Sequence, residues 1–429
     1  MNVFFYTLGC KVNQYETEGM KEVFSDNGFV VKDKPEGCDV LVINSCTVTS
    51  VSDKKTRQMI HKFKKGNPGA VVALTGCFPQ AFPEEAAALP EVDIITGTKH
   101  KGQLVQHCLD FLANPHRIVA VEQYRAGDRF EQMQVHGAGG RTRSFVKIQD
   151  GCDNWCSYCI IPAARGPVRS KPLGELLEEV EQLAGAGFRE VVLVGINLCF
   201  YGRESGLTLT DAVEAIAHRH PGLRIRLGSL EPELISDGEL ARLAALPGFC
   251  PNFHLSLQSG CDATLGRMRR HYDTSLYRKL VDNIRSRFDC PSITTDLLVG
   301  FPGETQEEFE TACRFAQEIG FAKVHIFPYS VRPGTRAADM PEQVPQQVKT
   351  ARAAALKKVT DPLRQAFLQG MQGRLCRVLA EQRRADGLQC GYTENYMPVA
   401  FPCGEELTGQ VVSVRITGVK NGELTGELV

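Results

Sequence analysis

The chain is poor in tryptophan, has almost no net charge and has no long hydrophobic run. It contains a single Trp among 429 residues, and 49 Lys and Arg residues offset 50 Asp and Glu residues, for a formal net charge of −1. Because a membrane helix needs about 18 consecutive apolar residues, we expect no membrane span. The charge balance excludes a strongly basic nucleic-acid binder, so any nucleic-acid site must be a local patch.

The N-terminus also lacks the basic region of a signal peptide, since it begins Met1-Asn-Val-Phe-Phe-Tyr-Thr-Leu. We therefore expect a cytoplasmic protein. Cysteine, by contrast, is abundant, with 16 residues. In a reducing compartment such cysteines are metal ligands or buried thiols more often than disulfides. The length predicts two or three globular domains.

Three cysteines form a compact C-x3-C-x2-C motif, at Cys152, Cys156 and Cys159. Thiolates are the usual ligands of iron–sulfur clusters. Three of them can hold three corners of a four-iron cluster and leave the fourth iron open. The alternatives are a zinc site or unrelated core cysteines, but a closed zinc site takes four protein ligands, and no fourth Cys or His lies nearby.

This spacing resembles the signature of the radical S-adenosylmethionine (SAM) enzymes, which have an aromatic residue before the third cysteine. Tyr158 occupies that position. The resemblance implies a [4Fe–4S] cluster whose open iron takes the amino and carboxylate groups of SAM. It also implies that one electron cleaves SAM to a 5′-deoxyadenosyl radical.

The first segment, 1–125, alternates short apolar runs with helical patterns. Continuous apolar runs are typical of buried parallel strands, so this segment predicts a small doubly wound parallel α/β domain. A glycine-rich stretch, His136–Arg141, follows and predicts a flexible linker. The predicted strands are 3–7, 40–43 and 71–74, and the predicted helices lie near 14–27 and 52–65.

The second segment, 142–365, has six strand candidates separated by helical patterns, clearest at 175–186 and 304–320. Gly187 is a predicted stop for the first of these two helices. It predicts an open partial (β/α)6 barrel. The motif at Cys152 follows the first strand, at the carboxyl-terminal rim where barrel active sites lie. The strand candidates are 145–148, 191–194, 224–228, 253–257, 293–299 and 323–327.

The third segment, 370–429, alternates short β-like runs with glycine turns. Val412, Val414 and Ile416 alternate with polar residues, as in a half-buried strand. Asn421-Gly422 is a hairpin signal. These features predict a small OB-like β-barrel, with strands near 375–381, 397–400 and 409–419.

A second set of three cysteines, Cys10, Cys46 and Cys77, is dispersed, but each residue follows one of the N-terminal strands. Because the carboxyl ends of parallel strands share one edge, we expect the three thiols to converge. Gly9 and Gly76 precede two of them and permit tight loops. The alternative is three buried cysteines. Beside the first motif, we interpret them as a second iron–sulfur site.

The whole arrangement resembles the methylthiotransferase family of radical SAM enzymes, which has an N-terminal domain with three separated cysteines, a radical SAM barrel and a C-terminal TRAM domain. The stretch Thr7–Thr17 resembles the MtaB branch, which modifies N6-threonylcarbamoyladenosine at tRNA position 37, beside the anticodon. Cys199 and Cys403 are less typical. Further stretches that fit are Ala164–Ser170, Ser229–Pro232, Leu255–Gly260, Asp296–Thr305 and Gly391–Tyr396.

The resemblance implies two [4Fe–4S] clusters and SAM as cofactors. The cluster on Cys152, Cys156 and Cys159 would cleave SAM. The cluster on Cys10, Cys46 and Cys77 would present a sulfur that becomes methylated. The radical would abstract hydrogen from adenine C2, where the methylthio group then attaches. The electron donor and the sulfur donor are not identifiable from the sequence.

Further residues are assigned to SAM or to the substrate by strand-end position and resemblance together. Ordinary hydrogen bonding at the rim is the alternative for the SAM group. Arg165 and Arg169 suit a SAM carboxylate or a tRNA phosphate. Tyr392 and Tyr396 suit stacking on unpaired bases, or a barrel core. The SAM candidates are Tyr158, Gly195, Asn197, Glu231, Gln258, Asp296 and Tyr329.

TRAM domains bind RNA in this family, so the expected partner is a tRNA anticodon stem-loop, bound by a monomer. Basic groups near 54–65, 267–271 and 383–384 can contact phosphates, although a solvated helix face is the usual role of a charge run. Two sister branches remain open, one for isopentenyladenosine and one for a ribosomal-protein aspartate. A two-cluster electron carrier is the alternative from another class, and SAM cleavage separates it from the enzymes.

Overall fold

The computed structural model describes residues 1–125, 127–133, 135 and 142–429. The predicted linker His136–Arg141 lies outside the described residues. The chain forms two compact units. One contains the described part of 1–138 with 147–172 and 330–338, and the other contains the described part of 139–146 with 173–329 and 339–429. None of the described helices is both long and apolar enough to cross a membrane.

The first unit is built on a six-stranded sheet in which all pairings are parallel. The three predicted strands are confirmed and lie side by side. The other three strands have three residues each, too few to show a periodicity. In sheet order the strands are Val30–Lys32, Asn2–Thr7, Val40–Ser45, Val71–Gly76, Ile94–Thr96 and Ile118–Ala120.

Both faces of this sheet are covered, which explains the continuous apolar runs. In the strand Val40–Ser45, Val40 and Val42 pack into one core, and Leu41 and Ile43 into another on the opposite face. The doubly wound prediction is therefore confirmed. The helices are Lys11–Asp26, Ser50–Gly66, Cys77–Ala81, Pro83–Ala87 and Leu104–Ala113, with a 3-10 turn at Lys101–Gln103.

The same unit contains the C-x3-C-x2-C motif. Two short strands, Gln149–Asp150 and Arg169–Ser170, pair antiparallel on either side of it. The motif itself forms a loop, and the helix Ile161–Arg165 follows. The paired strands hold the ends of this segment together, so the cysteine loop and the helix project from one short ribbon.

The second unit has the six predicted barrel strands, but the third is interrupted. At Gly228 the chain leaves a three-stranded sheet and enters a four-stranded one. Its first half pairs parallel with Glu190–Val194 and its second half pairs parallel with Asn252–Leu255. The strands are Arg143–Lys147, Glu190–Val194, Arg224–Leu227, Ser229–Leu230, Asn252–Leu255, Ser292–Val299 and Lys323–Pro328.

Helices alternate with these strands. The predicted stop at Gly187 is confirmed: its φ is +94°, and the Phe188 N–H donates to the Leu183 carbonyl at 3.1 Å, as in a Schellman cap. The final helix, which contains Pro362, was not predicted. The helices are Leu173–Gly185, Leu209–Arg219, Asp237–Ala244, Asp262–Met268, Thr274–Arg287, Gln306–Ile319 and Gln346–Gln369, with 3-10 turns at Leu198–Phe200, Arg203–Ser205 and Pro232–Leu234.

The C-terminal segment forms a closed five-stranded barrel, as predicted. Val414 and Ile416 are fully buried in its core. Asn421 and Gly422 have φ of +53° and +74° in the hairpin turn, which is typical of a type I′ turn. In barrel order the strands are Leu375–Arg383, Leu388–Tyr392, Pro398–Pro402, Glu423–Leu428 and Val411–Lys420.

A buried ion cluster joins this barrel to the parallel sheets within the second unit. The Nε atoms of Arg224 and Arg226 each lie 2.9 Å from the carboxylate of Glu190. Both arginines also donate to the carbonyl of Thr393. Burial by itself raises the pKa of Glu190, but the attraction of Arg226 and Arg224 outweighs it and lowers the pKa to about 2.

We therefore expect the Glu190 carboxylate to add to the free energy of unfolding, and this contribution to be lost in acid. The unfolded pKa is about 4.3, so the contribution is complete above that pH and is lost as the pH falls towards 2. We expect it to reach about 3 kcal/mol. Urea unfolding between pH 5 and 3 should show a steeper loss for wild type than for Glu190→Gln. The exposed Glu405→Gln should follow wild type, and parallel curves for Glu190→Gln and wild type would contradict the assignment.

Candidate active site

Cys10, Cys46 and Cys77 lie at the carboxyl ends of three adjacent strands of the first unit, as predicted. Cys10 precedes the helix Lys11–Asp26, and Cys77 begins a short helix of its own. Cys46 and Cys77 are buried, whereas Cys10 is exposed. The sheet edge therefore brings together three thiols that are far apart in sequence, and one of them faces solvent.

Two glycines allow this close approach. Gly9 has a φ of +121°, and a Cβ added there would lie 2.9 Å from the Cβ of Cys46. Gly76 has a φ of +103°, and a Cβ there would collide with the backbone oxygen of Ser45. Both positions need a left-handed or related backbone conformation and no side chain.

Replacing Gly9 with alanine is expected to displace Cys46. The strained φ alone costs about 1–3 kcal/mol, and the new methyl group occupies the space of the Cys46 side chain. We expect iron at this triad to fall after reconstitution. Gly28→Ala is the matched control, since Gly28 has a φ of +81° and nothing within 4 Å of an added Cβ. Equal iron and sulfide contents in the two variants would argue against a packing role for Gly9.

The buried thiols are electrostatically coupled. Burial, together with the neighbouring Cys77, raises the pKa of Cys46 to about 12. Burial also raises the pKa of Cys77, and Arg165 opposes this rise. Thiols in such surroundings ionise when a metal ion compensates the charge. A thiol-only donor set is the kind that holds iron–sulfur clusters.

Arg165 connects the two cysteine motifs. It ends the helix Ile161–Arg165, which follows Cys159, and it is fully buried. Its Nε donates to Cys77 Sγ at 3.3 Å, and its Nη2 donates to Asn13 Oδ1 at 2.7 Å. A side chain that follows the C-x3-C-x2-C motif thus contacts a sulfur of the N-terminal triad.

Glu16 is the centre of a buried polar network beside Cys77. Its carboxylate pairs with the Arg165 guanidinium, and lies 3.3 Å from Lys101 Nζ and 2.8 Å from Lys147 Nζ. Burial alone raises the pKa of Glu16, but these three cations outweigh it and hold the pKa well below its ordinary value. The buried Asp150 carboxylate also pairs with Lys147 at 2.7 Å and with Arg165 at 3.5 Å. Three cations against two carboxylates leave a net positive charge next to the thiols, which suits an anionic cluster.

The loop that carries Cys152, Cys156 and Cys159 is fixed by its backbone. The Cys152 N–H donates to the Gly166 carbonyl at 3.1 Å, and the Cys159 N–H donates to the Cys156 carbonyl at 3.0 Å. The three residues are partly or fully buried. The second bond lies within the loop, and the first ties the start of the loop to the residue after the helix Ile161–Arg165.

Arg169 is also buried. Its Nη1 donates to the Pro167 carbonyl at 2.7 Å, and its Nη2 donates to the Arg165 carbonyl at 3.0 Å. Its guanidinium lies 4.3 Å from the centre of the Tyr124 ring. Both arginines that the sequence assigned to SAM or tRNA thus lie inside the first unit, next to the cysteine motifs.

Three segments of the chain match known protein families, and the whole chain matches known enzymes. Residues 2–97 match "Uncharacterized protein family UPF0004", residues 146–316 match the radical SAM superfamily, and residues 369–429 match the TRAM domain. The chain is 36% identical to "Threonylcarbamoyladenosine tRNA methylthiotransferase MtaB" of Bacillus subtilis (strain 168), over 96% of this chain and 93% of that protein. This chain belongs to the radical SAM methylthiotransferase family.

The chain is also similar to a second kind of tRNA-modifying protein and to a solved radical SAM structure. A "tRNA-2-methylthio-N(6)-dimethylallyladenosine synthase" of Symbiobacterium thermophilum is 32% identical, over all of this chain (100%) and 94% of that protein. Among solved structures, the radical SAM methyltransferase TsrM of Kitasatospora setae, with cobalamin and a [4Fe–4S] cluster bound, has a TM-score of 0.60 at 15% identity, covering 79% of this chain and 77% of that one. The latter likeness concerns the fold alone.

As a methylthiotransferase of this family, the protein is an enzyme that uses SAM and [4Fe–4S] clusters as cofactors. Five SAM candidates of the second unit follow strand ends, as predicted, whereas Asp296 lies inside the strand Ser292–Val299. Asn197 is buried at the start of the turn Leu198–Phe200. Gln258 has a φ of +66°, a strained conformation of the kind often found at functional sites. Tyr329 is buried, with its ring 5.4 Å from that of Phe301.

Glu231 and Asp296 have basic partners. The Glu231 carboxylate pairs with Arg270, and Asp296 Oδ2 lies 3.4 Å from His254 Nε2. Burial raises the pKa of Glu231, and Arg270 opposes the rise. Gly195, the remaining candidate, follows the strand Glu190–Val194 directly. The assignment of these residues to SAM stays a prediction from the sequence.

Some of the residues predicted to bind RNA contact other side chains of the protein, and others are exposed. Tyr392 and Tyr396 stack on each other with centroids 4.8 Å apart, and the Arg143 guanidinium lies 4.6 Å from the Tyr392 centroid. In the basic groups, Arg270 and Arg267 pair with acids. Exposed basic residues of these groups are Lys54, Lys55, Lys62, Lys65, Arg269, His271, Arg383 and Arg384.

Sequence reasoning missed the buried charges around Cys77. A signal was present in the helix Lys11–Asp26, where Glu16 lies on the apolar stripe between Val12 and Met20. A carboxylate on such a stripe requires a buried partner. Lys101 and Lys147 gave no comparable signal, because their partner is distant in sequence.

Proposed function

We propose that this protein adds a methylthio group to C2 of N6-threonylcarbamoyladenosine in the anticodon stem-loop of tRNA. The observation that carries the proposal is the convergence of Cys10, Cys46 and Cys77 at one sheet edge, with Arg165, which follows the C-x3-C-x2-C motif, against Cys77. The full-length likeness to MtaB relatives and the stretch at Thr7–Thr17 favour this nucleoside.

In this proposal Cys152, Cys156 and Cys159 hold the cluster that binds SAM, and Tyr158 is a candidate for SAM itself. Gly195, Asn197, Glu231, Gln258 and Tyr329 are further SAM candidates, whereas Asp296, which lies within its strand beside His254, is a candidate for the substrate. Cys10, Cys46 and Cys77 hold the second cluster. When bound, these groups supply radical generation from SAM and the sulfur that is transferred. An adenine C2–H offers no acidic proton for a side-chain base, so the protein's own task is positioning and electrostatics.

The buried cations perform the electrostatic part of that task. Arg165 donates a hydrogen bond to Cys77 Sγ, and hydrogen bonds to cysteine sulfurs are among the factors that set cluster potentials. Lys101 and Lys147 share Glu16 with Arg165, which fixes the guanidinium and keeps the surroundings of the thiolates positive. The same two lysines are shielded from water, so their charges are weakly screened.

RNA binding is assigned to the C-terminal barrel and to exposed lysines of the helix Ser50–Gly66. Phosphate contacts of this kind lose affinity steeply with added salt. The proposal includes a monomeric, cytoplasmic enzyme with separate electron and sulfur donors. Arg169, Tyr392 and Tyr396 are secondary candidates for the RNA, since their side chains already engage Tyr124, each other and Arg143.

A second candidate substrate is isopentenyl-type adenosine in tRNA. The relative from Symbiobacterium thermophilum carries that activity in its name and is also matched over the full chain. Its identity of 32% is below the 36% of the MtaB relative. The two candidates differ only in the substituent on adenine N6, so the product nucleoside decides between them.

The deciding experiment is mass spectrometry of nucleosides from tRNA that lacks methylthio groups. The tRNA is incubated anaerobically with reconstituted enzyme, SAM, sulfide and a reductant, beside a reaction without SAM. A methylthio group on threonylcarbamoyladenosine supports the proposal. Modification of isopentenyladenosine supports the second candidate. Unchanged tRNA with SAM cleavage points to a ribosomal-protein substrate, and no SAM cleavage contradicts the radical SAM function.

A further inference from the structure

Four polar side chains lie on one face of three adjacent parallel strands in the second unit. His254 is the register partner of Thr294, and Asp296 is the register partner of His325. Thr294 and Asp296 are two residues apart on one strand, so their side chains point to the same face. Register partners in a parallel pair share a face as well. His254, Thr294, Asp296 and His325 therefore form one continuous patch.

The opposite face of these strands is an apolar core. Phe253, Leu255, Ile293 and Leu297 are all at most 1% exposed. The polar face, in contrast, is partly open, since the side chains of His254 and Asp296 are 18% and 31% exposed. An interior barrel face is normally filled by packed branched apolar side chains. Polar and partly open side chains at this place leave these groups accessible to a ligand.

The patch is arranged around one carboxylate. His254 Nε2 lies 3.4 Å from Asp296 Oδ2, and His254 Nδ1 lies 3.0 Å from Thr294 Oγ1. The ring centroids of His254 and His325 are 5.9 Å apart. One ligand atom from each of His254, Asp296 and His325 falls within 4.8 Å of the others. The patch thus combines two imidazoles with one strong acceptor in a small volume.

This combination matches the substituent of threonylcarbamoyladenosine. That group has a carboxylate for imidazole N–H donors, and a hydroxyl and N–H groups for a carboxylate acceptor. An isopentenyl group has none of these. Placed on the same patch, it would remove water from polar side chains without replacing their hydrogen bonds, which is unfavourable.

We infer that His254, Asp296 and His325 form the subsite for the threonylcarbamoyl group of the substrate. The imidazole of His325 binds its carboxylate. His254, which lies against Thr294 and Asp296, orients Asp296, and Asp296 accepts from the hydroxyl or N–H groups of the substituent. This inference rests on the proposed function. It adds the residues that distinguish threonylcarbamoyladenosine from isopentenyladenosine.

The test uses three anticodon stem-loop RNAs and the full-length reconstituted enzyme. One RNA carries threonylcarbamoyladenosine, the second carries its carboxyl methyl ester, and the third carries isopentenyladenosine. Methylthio products are quantified at several RNA concentrations to separate kcat from KM. Formation of 5′-deoxyadenosine without RNA is measured in parallel. The variants are His325→Phe and the conservative His325→Gln, with His218→Phe, an exposed histidine of the helix Leu209–Arg219, as control.

We expect wild type to prefer the free acid over the ester. His325→Phe should lower kcat/KM for the acid by about 10- to 100-fold, the range for loss of a hydrogen bond to a charged group. The loss should appear mainly in KM. The ester and the RNA-free SAM cleavage should change little, His325→Gln should retain part of the activity, and His218→Phe should behave as wild type.

Three results would overturn the inference. Equal losses of kcat/KM for acid and ester in His325→Phe would show that His325 does not contact the carboxylate. Loss of RNA-free SAM cleavage would show that His325 acts at SAM instead. A stoichiometric non-iron metal that disappears in the variant would make the patch a metal site. If His325→Phe does not fold, wild type alone still decides, because no preference for acid over ester contradicts the inference. Wild type that modifies only the isopentenyl RNA refutes the proposed function itself.

Discussion

Replacing Cys77 with alanine is expected to abolish methylthio transfer while SAM cleavage continues. Cys77 is a buried member of the N-terminal triad, and the variant keeps the thiols of Cys152, Cys156 and Cys159. Substitutions outside the ligand shell of a metal site typically cost about 10- to 100-fold, so removal of a direct ligand should exceed about 100-fold. Nucleoside mass spectrometry measures the product, and chromatography of 5′-deoxyadenosine measures SAM cleavage.

Iron content provides a second readout for the same variant. Reconstituted Cys77→Ala should lose the iron of one triad and retain that of the other. Cys108→Ala is the matched control, because Cys108 is a fully buried cysteine of the same unit outside both triads. It should retain full iron and full activity. Product formation by Cys77→Ala at the wild-type rate would show that the N-terminal triad is not the sulfur site.

Replacing Glu16 with glutamine is expected to destabilise the first unit by about 3–5 kcal/mol, the usual effect of removing one partner of a buried ion pair. Glu16 is fully buried, and it is the shared partner of Arg165, Lys101 and Lys147. The variant leaves these cations close together with less compensating charge. Urea unfolding of the cluster-free protein measures the loss directly.

The same helix offers a control for this prediction. Glu18 pairs with Lys21 at 3.1 Å, with the lysine side chain 33% exposed, and such partly exposed pairs contribute about 0–1 kcal/mol. Glu18→Gln should therefore change the free energy of unfolding little. A Glu16→Gln effect no larger than that of Glu18→Gln would mean that water or rearranged side chains compensate the three cations.

The contribution of Glu16 should also depend on pH. Its folded pKa is held well below the ordinary value, so its stabilising effect is present above the unfolded pKa of about 4.3. The effect is lost as the pH falls below that value towards the folded pKa. The difference between wild type and Glu16→Gln should accordingly shrink in acid.

Most of the fold was predictable because its signals are local. Apolar runs such as 40–43 and alternations such as Val412 to Ile416 indicate strands, and Gly187 indicates the end of a helix. The strands of three residues were missed, since no period fits such a length. The interruption at Gly228 was missed as well, because it depends on which neighbours each half of the strand meets.

The basic groups show the limit of reading charge from sequence. Arg267 and Arg270 lie in a run that suggested phosphate contacts, yet Arg270 pairs with Glu231 and Arg267 pairs with Glu308. Arg165 and Arg169 likewise proved to be buried. A run of basic residues shows the charge of its own segment only. The acidic side chains that pair with it come from other segments, so the run alone does not show which of its residues are available for phosphates.

The sequence by itself determined the two cysteine triads, the order of the domains and the placement of Cys10, Cys46 and Cys77 at strand ends. These follow from spacing and from short-range periodicity. Only the tertiary structure decided which charges surround the thiols and which side chains share the face of His254. Arg165 meets Cys77 across 88 residues and Glu16 across 149 residues. No local pattern specifies contacts at such separations, because they arise when the folded sheet and its loops close on each other.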